Sequence, residues 1–317
     1  MMDRCLLIKS SRKELAKALR DSFVRSLAKG ANRDAATVTD QCIIDYACSP
    51  SEWKTWVESR VCRSVLHDGG LGRLETFPAQ DGIVINQPGI GMVLIAGSGE
   101  IVCLVKGKQT PQDMSDRLNL FGFSQILTAE ILARGNWALI HAGGLGRNDT
   151  CFLVSGPSGS GKTTLSLKLV ADGWEFFGDD QVIVGRHSNK IWKAWPYWRT
   201  VNVSTATCRE HVQLRSLWEA ASGTREFSID ISKFFQIEVP RPAKIEAIYY
   251  LHADTDVYCT RLNTQESLER LGHCFFYYTQ NIHADRSLAF LCEIAAEIPV
   301  YAISRGMLNQ NNGRIPL

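Results

Sequence analysis

The feature that most constrains the fold is a glycine-rich octapeptide near the middle of the chain, residues 156–163. It reads Gly-Pro-Ser-Gly-Ser-Gly-Lys-Thr, which matches the G-x-x-x-x-G-K-[ST] pattern of a phosphate-binding loop. The apolar run at 151–154 predicts a strand before it, and Leu165 and Leu169 predict a helix after it. A strand, a glycine loop and a helix in this order predict an α/β domain that binds a nucleoside triphosphate. The alternative, a glycine-rich turn that binds nothing, does not account for the flanking strand and helix.

Each residue type in the octapeptide suits a chemical task. Glycines let the backbone N–H groups converge on phosphate oxygens, and the start of the helix adds partial positive charge. The Lys162 side chain can reach the β- and γ-phosphates, and the Thr163 hydroxyl can ligate Mg²⁺. The residues predicted to bind the nucleotide are Gly156, Ser158, Gly159, Ser160, Gly161, Lys162, Thr163 and Thr164.

Two adjacent acids, Asp179 and Asp180, stand at the end of an apolar strand, one helix beyond the loop. Ligands of open α/β sheets bind beyond the carboxyl ends of the strands. Because adjacent strand residues point to opposite faces, only one of the two can aim directly at the γ-phosphate. One carboxylate can hold Mg²⁺ while the other orients or deprotonates an incoming hydroxyl. The alternative is a surface turn without a catalytic task.

Bulk properties exclude several classes of function. A net charge of +2 gives no support for nucleic-acid binding as the main task. We expect no membrane segment, since no apolar run is long enough to cross a bilayer, and no secretion signal at the N-terminus. The ten cysteines contain no C-x-x-C pair, which argues against structural zinc and favours a reduced, cytoplasmic protein.

The chain of 317 residues is long enough for two domains. Capping patterns predict helices over 11–30 and from Ser49 to a stop at 67–70, and β-rich runs at 82–85, 91–96 and 100–105 predict a meander. We therefore expect a smaller α+β domain over 1–110, for substrate recognition or assembly. A P-loop α/β catalytic domain should follow over 111–317.

The order of His141, the phosphate loop and the acid pair resembles the catalytic domain of HPr kinase/phosphorylase, over roughly residues 137–305. In that family a histidine ends the strand upstream of the loop, and two adjacent aspartates follow it at about this distance. The segments 162–166 and 178–180 are also similar to ATP-dependent phosphoenolpyruvate carboxykinases.

This resemblance implies ATP and Mg²⁺ as cofactors and transfer of the γ-phosphoryl group to a serine hydroxyl. It implies that Asp179 is the catalytic base, that Asp180 supports the metal together with Thr163, and that His141 lies near the phosphates. Taken alone, His141 is equally consistent with a histidine that only ends a strand.

One family segment is missing. HPr kinases carry Glu-Ile-Arg-Gly after the aspartates, whereas this chain has residues 195–202, Trp-Pro-Tyr-Trp-Arg-Thr-Val-Asn. The chain is more similar to a divergent branch that includes serine kinases of lasso-peptide precursors. The expected partner is therefore a peptide or small protein with an acceptor serine, with a ribosomal peptide precursor favoured over HPr itself; a homo-oligomer is compatible with the sequence.

Substrate contacts are predicted at Arg199 and Arg305, which could clamp a phosphate or carboxylate, although surface arginines would look the same. An aromatic cluster could form a peptide-binding wall or the packed edge of the sheet. Its members are Trp192, Trp195, Tyr197 and Trp198.

Two other functions compete with a serine kinase. The first is an enzyme with a small-molecule acceptor, either a metabolite kinase or a carboxykinase-like enzyme. The second is a nucleotide-binding switch or assembly protein that does not transfer phosphate. The acid pair beside the loop argues against a pure switch, since a switch needs no base to activate a hydroxyl.

Overall fold

The computed structural model describes two parts of the chain, an N-terminal sheet and a larger α/β unit. The predicted helix over 11–30, the proposed domain boundary near residue 110, and both Trp198 and Arg199 lie outside the described residues. The described residues are 4–10, 38–47, 65–69, 72–79, 82–87, 91–96, 101–106, 132, 137–186, 191–197, 200–219, 226–272, 274 and 284–310.

Seven strands of the described part before residue 107 form one sheet, in the order β1-β2-β7-β6-β5-β4-β3. The strands β1, β2 and β7 pair in parallel, and the other neighbours are antiparallel. The strands are β1 (Arg4–Ser10), β2 (Val38–Ala47), β3 (Val65–Gly69), β4 (Gly72–Ala79), β5 (Gly82–Gln87), β6 (Gly91–Ala96) and β7 (Ile101–Lys106).

The predicted meander is confirmed, because β5, β6 and β7 are consecutive antiparallel neighbours. The predicted helix stop at residues 67–70 is wrong. Residues 65–69 form strand β3, which pairs with β4 in antiparallel fashion, with Gly69 opposite Gly72. Asp68 and Gly69 are therefore the last residues of a strand and do not end a helix.

The second unit is built on a mixed sheet of nine strands, in the order β11-β9-β10-β16-β13-β12-β8, with β18 on β16 and β17 on β18. A separate ribbon pairs β14 with β15. The strands are β8 (Trp137–Ile140), β9 (Gly143–Arg147), β10 (Thr150–Ser155), β11 (Glu175–Gly178), β12 (Val182–Arg186), β13 (Trp192–Trp195), β14 (Thr200–Ser204), β15 (Glu226–Asp230), β16 (Ala243–His252), β17 (Cys259–Arg261) and β18 (Val300–Ser304).

The helices of the described residues follow or connect these strands, which makes the unit a mixed α/β fold. No helix of the described residues is long and apolar enough to cross a membrane. The helices are α1 (Lys162–Ala171), α2 (Thr205–Glu210), α3 (Arg215–Glu219), α4 (Thr264–Gly272), α5 (Ala284–Glu297) and α6 (Arg305–Gln310).

Four strands of the sheet end at the same edge. The strands β10, β16 and β18 are parallel, and β11 runs in the same direction because both β10 and β11 are antiparallel to β9. Their carboxyl ends are Gly178 of β11, Ser155 of β10, His252 of β16 and Ser304 of β18. Such an edge is where ligands of α/β proteins bind.

The sequence of residues 146–149, Gly-Arg-Asn-Asp, predicts a turn between the strand with His141 and the strand that enters the phosphate loop. The turn is confirmed as a tight hairpin between β9 and β10. Asn148 and Asp149 both have positive φ angles, 54° and 62°, as a two-residue turn of the type I′ family requires. The sequence predicts that the strand before this turn contains His141. In the structure His141 instead lies in a bend between β8 and β9, outside both strands.

Three members of the aromatic cluster belong to the core, which favours the packed-edge interpretation over a peptide-binding wall. Trp192, Trp195 and Tyr197 are 5%, 8% and 2% exposed. Trp195 meets Trp137 edge to face with ring centroids 4.0 Å apart, and Trp192 meets Phe290 of α5 in the same way at 4.9 Å. These ring contacts hold β13 to β8 and to α5.

We predict that Trp195→Ala lowers the free energy of unfolding by about 3–5 kcal/mol, because it empties a buried aromatic site. Lys193→Ala, on the same strand but half-buried, should change it by less than about 0.5 kcal/mol. Urea denaturation of both variants makes the measurement. Equal stability of Trp195→Ala and the wild-type protein would contradict the packed-core assignment.

Candidate active site

The phosphate loop joins β10 to α1 and has the backbone conformation that its glycines permit. Gly156 and Gly161 have φ angles of 143° and 102°, which side-chain-bearing residues rarely adopt. A Cβ atom at Gly156 would also lie 2.4 Å from the carbonyl oxygen of Leu251 in β16. The loop therefore lies directly against the neighbouring parallel strand.

Lys162 turns back over this loop. Its Nζ atom donates hydrogen bonds to the carbonyl oxygens of Gly156, at 2.9 Å, and Pro157, at 3.2 Å. The residue is only 7% exposed. The ammonium group is thus held at the mouth of the loop, the position from which a lysine reaches phosphate oxygens.

Thr163 connects the loop to the acid pair. Its hydroxyl donates a hydrogen bond of 2.6 Å to Oδ2 of Asp179. Asp179 is 1% exposed, and its other oxygen, Oδ1, has no hydrogen-bond partner among the described residues. The Ser166 hydroxyl lies near this carboxyl group, but it too is without a hydrogen bond of ordinary geometry. A buried carboxylate oxygen without a partner is costly, so a ligand that satisfies it would bind favourably.

Burial is the largest cause and the neighbouring charge of Asp180 the second, and together they raise the pKa of Asp179 to about 7. The hydrogen bond from Thr163, the nearby Ser166 hydroxyl and the Lys162 ammonium act in the opposite direction. A carboxyl group with this pKa exchanges its proton near neutral pH, as groups in catalytic sites often do.

Asp180 and His141 belong to the same electrostatic cluster as Asp179. Asp180 is half-buried, and its charge acts on both Asp179 and His141. Burial lowers the pKa of His141, Asp180 raises it in part, and Lys162 lowers it again. The structure therefore brings His141, Lys162, Asp179 and Asp180 together, although the sequence separates them by up to 39 residues, from 141 to 180.

Arg305 lies beside the phosphate loop. It begins α6 directly after β18, and its Nη2 atom donates a hydrogen bond of 2.7 Å to the carbonyl oxygen of Gly159. The guanidinium group stands 3.5 Å from the place that a Cβ atom of Gly161 would occupy. The structure thus places this predicted substrate residue next to the phosphate site.

The remaining predicted nucleotide-binding residues divide into two groups. Ser158 and Gly159 are exposed on the loop, where a ligand can reach them. Ser160 is buried without a hydrogen-bond partner for its hydroxyl, and Thr164 points its hydroxyl to Thr207 of α2, at 3.0 Å. The Thr164 side chain therefore links α1 to α2.

Two residues near the site escaped the sequence analysis. Ser166 follows Thr163 by three positions, so helical spacing could have placed it on the same face of α1. Cys274 is more than a hundred residues away in the sequence, and no local pattern marks it. Its buried Sγ atom lies 2.6 Å from Oγ of Ser155, the last residue of β10, and its carbonyl oxygen accepts a hydrogen bond from the N–H of His141.

The residues fit a magnesium ion that is shared with a nucleotide. No group of three or more His, Cys, Asp or Glu side chains in the described residues forms a metal cage. Mg²⁺ commonly binds through one or two protein oxygens together with water and phosphate oxygens. The Thr163 hydroxyl and the unpartnered Oδ1 of Asp179 supply such oxygens.

No family model matches the chain, and no curated protein matches it either. Among solved structures, the Hpr(Ser) kinase/phosphatase from Coxiella burnetii matches 54% of this chain and 87% of its own, with 14% sequence identity and a TM-score of 0.28. A likeness at this TM-score does not by itself establish a common fold or activity.

We predict that Asp179→Asn stabilises the protein at pH 8 in metal-free buffer. The pKa of Asp179 is higher in the folded protein than in the unfolded chain, so the folded state binds more protons between about pH 4 and 7, and stability falls as pH rises through this range. The Asn variant loses this dependence, and its melting temperature at pH 8 should exceed that of the wild-type protein by roughly a few degrees. Thermal melts at pH 5 and pH 8 make the comparison. An equal pH response of the two proteins would show that Asp179 has an ordinary pKa.

Proposed function

We propose that this protein is an ATP- and Mg²⁺-dependent kinase that transfers the γ-phosphoryl group to a serine hydroxyl of a peptide or small protein. The observation that carries the proposal is the hydrogen bond between Thr163 and Asp179. It joins the helix of a phosphate loop to an acid pair at the end of a strand, with Lys162 and His141 beside it. A loop that only turned the chain would have no need of this buried, charged arrangement.

The geometry supports an exchange of the two aspartate roles that the HPr kinase resemblance implies. Asp179 is buried and bonded to the Thr163 hydroxyl, as an acid that supports Mg²⁺ would be. When bound, Mg²⁺ neutralises charge on the β- and γ-phosphate oxygens. Asp180 is the more exposed of the pair and interacts with His141. We therefore assign metal support to Asp179 and activation of the acceptor hydroxyl to Asp180.

The proposed transfer forms one bond, breaks one bond and moves one proton. The acceptor oxygen attacks the γ-phosphorus, the bond from that phosphorus to the β–γ bridging oxygen breaks, and the hydroxyl proton passes to the Asp180 carboxylate. Lys162 and the loop N–H groups stabilise charge on the transferring group. Arg305 donates a hydrogen bond to the Gly159 carbonyl oxygen. It is therefore close enough to the loop to act as a second cation beside the phosphates.

The proposed acceptor is a serine hydroxyl. A serine of a ribosomal peptide precursor is favoured by the resemblance to the divergent HPr-kinase-like enzymes. Burial of Trp192, Trp195 and Tyr197 removes one candidate peptide wall, and this observation favours the small-molecule kinase as the second candidate.

Five cysteines of the described part are free thiols, in keeping with a reduced, cytoplasmic setting.

Transfer of ³²P from γ-labelled ATP would test the proposal directly. The purified protein should be incubated with serine-containing peptides, with HPr and with hydroxylated metabolites in parallel. Label on a peptide serine supports the proposal, and label on a metabolite supports the second candidate. Release of inorganic phosphate alone, with every acceptor, would instead indicate a nucleotide switch.

We predict that Lys162→Ala lowers the transfer rate by a hundredfold or more, corresponding to a loss of about 3 kcal/mol or more of transition-state stabilisation. The physical reason is that the transferring phosphate loses a cation that the structure places at the loop. Lys168→Ala is the matched control, because Lys168 is an exposed lysine of the same helix, and it should keep the wild-type rate. A Lys162→Ala variant with a tenth of wild-type turnover would mean that this loop is not catalytic.

We predict that Asp179→Asn and Asp180→Asn fail in different ways. Asp180→Asn should bind ATP normally yet transfer phosphate more slowly by about a hundred- to ten-thousandfold, since the base is lost. Asp179→Asn should respond to added Mg²⁺ or Mn²⁺, which would restore part of its rate. Metal titrations of the rate for both variants make the measurement.

The opposite pattern, with metal rescue of Asp180→Asn only, would return the two aspartates to the roles that the family resemblance implies. Full activity of both variants would contradict the kinase proposal.

A further inference from the structure

We propose that the nucleoside part of the nucleotide binds against His252 and the loop that joins β16 to β17. We call this surface the nucleoside wall and define it by His252, Val257 and Tyr258. The inference rests on the proposed function, because it says where the base and ribose of the same nucleotide lie. Its ligand is a purine nucleoside with a phosphate chain.

The first argument is the order of the strands. The acid pair follows β11, which lies on one side of β10, with β9 between them, and the nucleoside wall follows β16 on the other side. The phosphate loop itself follows β10. Because the γ-phosphate has to face the acid pair and Lys162, the α-phosphate and the nucleoside extend from the loop toward β16 and β18.

The second argument is that the nucleoside wall is attached to the phosphate loop. The carbonyl oxygen of Leu251, the residue before His252, lies where a Cβ atom of Gly156 would clash. On the far side, Arg305 bonds to the Gly159 carbonyl oxygen. The wall and the loop are therefore adjacent surfaces of the same edge of the sheet.

Hydrogen bonds also hold the β16–β17 loop against the start of α6. The N–H of Gly306 donates to the carbonyl oxygen of Asp254 at 3.2 Å, and the N–H of Ser304 donates to that of Tyr258 at 3.2 Å. A Cβ atom at Gly306 would lie 2.1 Å from the carbonyl oxygen of Thr255. This close packing fixes the loop in place before any ligand arrives.

The third argument is the chemistry of the wall. The imidazole of His252 is half-buried and packs on two aromatic rings, those of Tyr250 at 5.1 Å and Tyr258 at 6.1 Å between centroids. The Tyr258 hydroxyl donates a hydrogen bond of 2.9 Å to Asp254, which fixes that ring. Val257 beside it is 46% exposed and adds an accessible apolar side chain. Supported rings with an apolar neighbour suit the face of a purine.

The test compares a nucleotide with a phosphate chain that carries no nucleoside. Calorimetry should measure the binding of ATP and of tripolyphosphate, each with Mg²⁺, to the wild-type protein, to His252→Ala and to His252→Phe. Loss of a stacking ring costs about 1–3 kcal/mol per base, so His252→Ala should bind ATP roughly tenfold more weakly. Its affinity for tripolyphosphate should not change, and His252→Phe, which keeps an aromatic ring, should bind ATP nearly as the wild-type protein does.

Val212→Ala serves as the control, because Val212 is an apolar residue that is 70% exposed and belongs to a different segment of the unit. It should bind both ligands as the wild-type protein does. If His252→Ala binds ATP with wild-type affinity, or loses ATP and tripolyphosphate equally, the inference is overturned while the proposed function stands. If the wild-type protein binds neither ligand, the proposed function itself fails.

Photolabelling gives a second test that needs no variant and so does not depend on the folding of His252→Ala. Irradiation of the wild-type protein with 8-azido-ATP, followed by peptide mapping, should place the label within residues 251–261, and excess ATP should prevent the labelling. Label confined to other peptides would overturn the inference.

Discussion

The hydrogen bond from the Thr163 hydroxyl to Asp179 is the contact on which the site depends. It links α1 to the residue that follows β11, and so joins the loop after β10 to a strand that is not next to β10 in the sheet. Through it, the glycine-rich loop and the acid pair are held against each other. The same bond leaves Oδ1 of Asp179 unsatisfied. The protein thus holds an acceptor ready for a ligand, at some cost to its own stability.

The sheet brings residues from distant parts of the chain to the same edge as this contact. Parallel strands β11, β10, β16 and β18 end together, so the residues that follow them meet although they are far apart in the chain. Arg305 reaches the loop across 146 positions of sequence. One edge can therefore present acids at one side, the phosphate loop in the middle and aromatic rings at the other.

The parts predictable from sequence were those encoded by neighbouring residues. The octapeptide with its flanking apolar runs predicted β10, the loop and α1, and Asn148-Asp149 marked a hairpin by local turn chemistry. The assignment between Asp179 and Asp180 could not be predicted, because strand twist decides which of two adjacent side chains meets Thr163. Nor could Trp195 be placed: an aromatic residue suits a core and a binding wall equally well, and only its partner Trp137 distinguishes the two. The position of Cys274 beside Ser155 depends on tertiary contact alone.

The inward turn of Lys162 bears on which anions the protein can select. Its ammonium group is already bonded to two carbonyl oxygens of its own loop, so an incoming anion has to replace those partners before it gains anything. A lone orthophosphate replaces them with few compensating contacts. Under the proposed function, a polyphosphate would also bind the N–H groups along the rest of the loop, and these additional contacts would offset the exchange. The two internal hydrogen bonds of Lys162 would in this way favour a polyphosphate over orthophosphate.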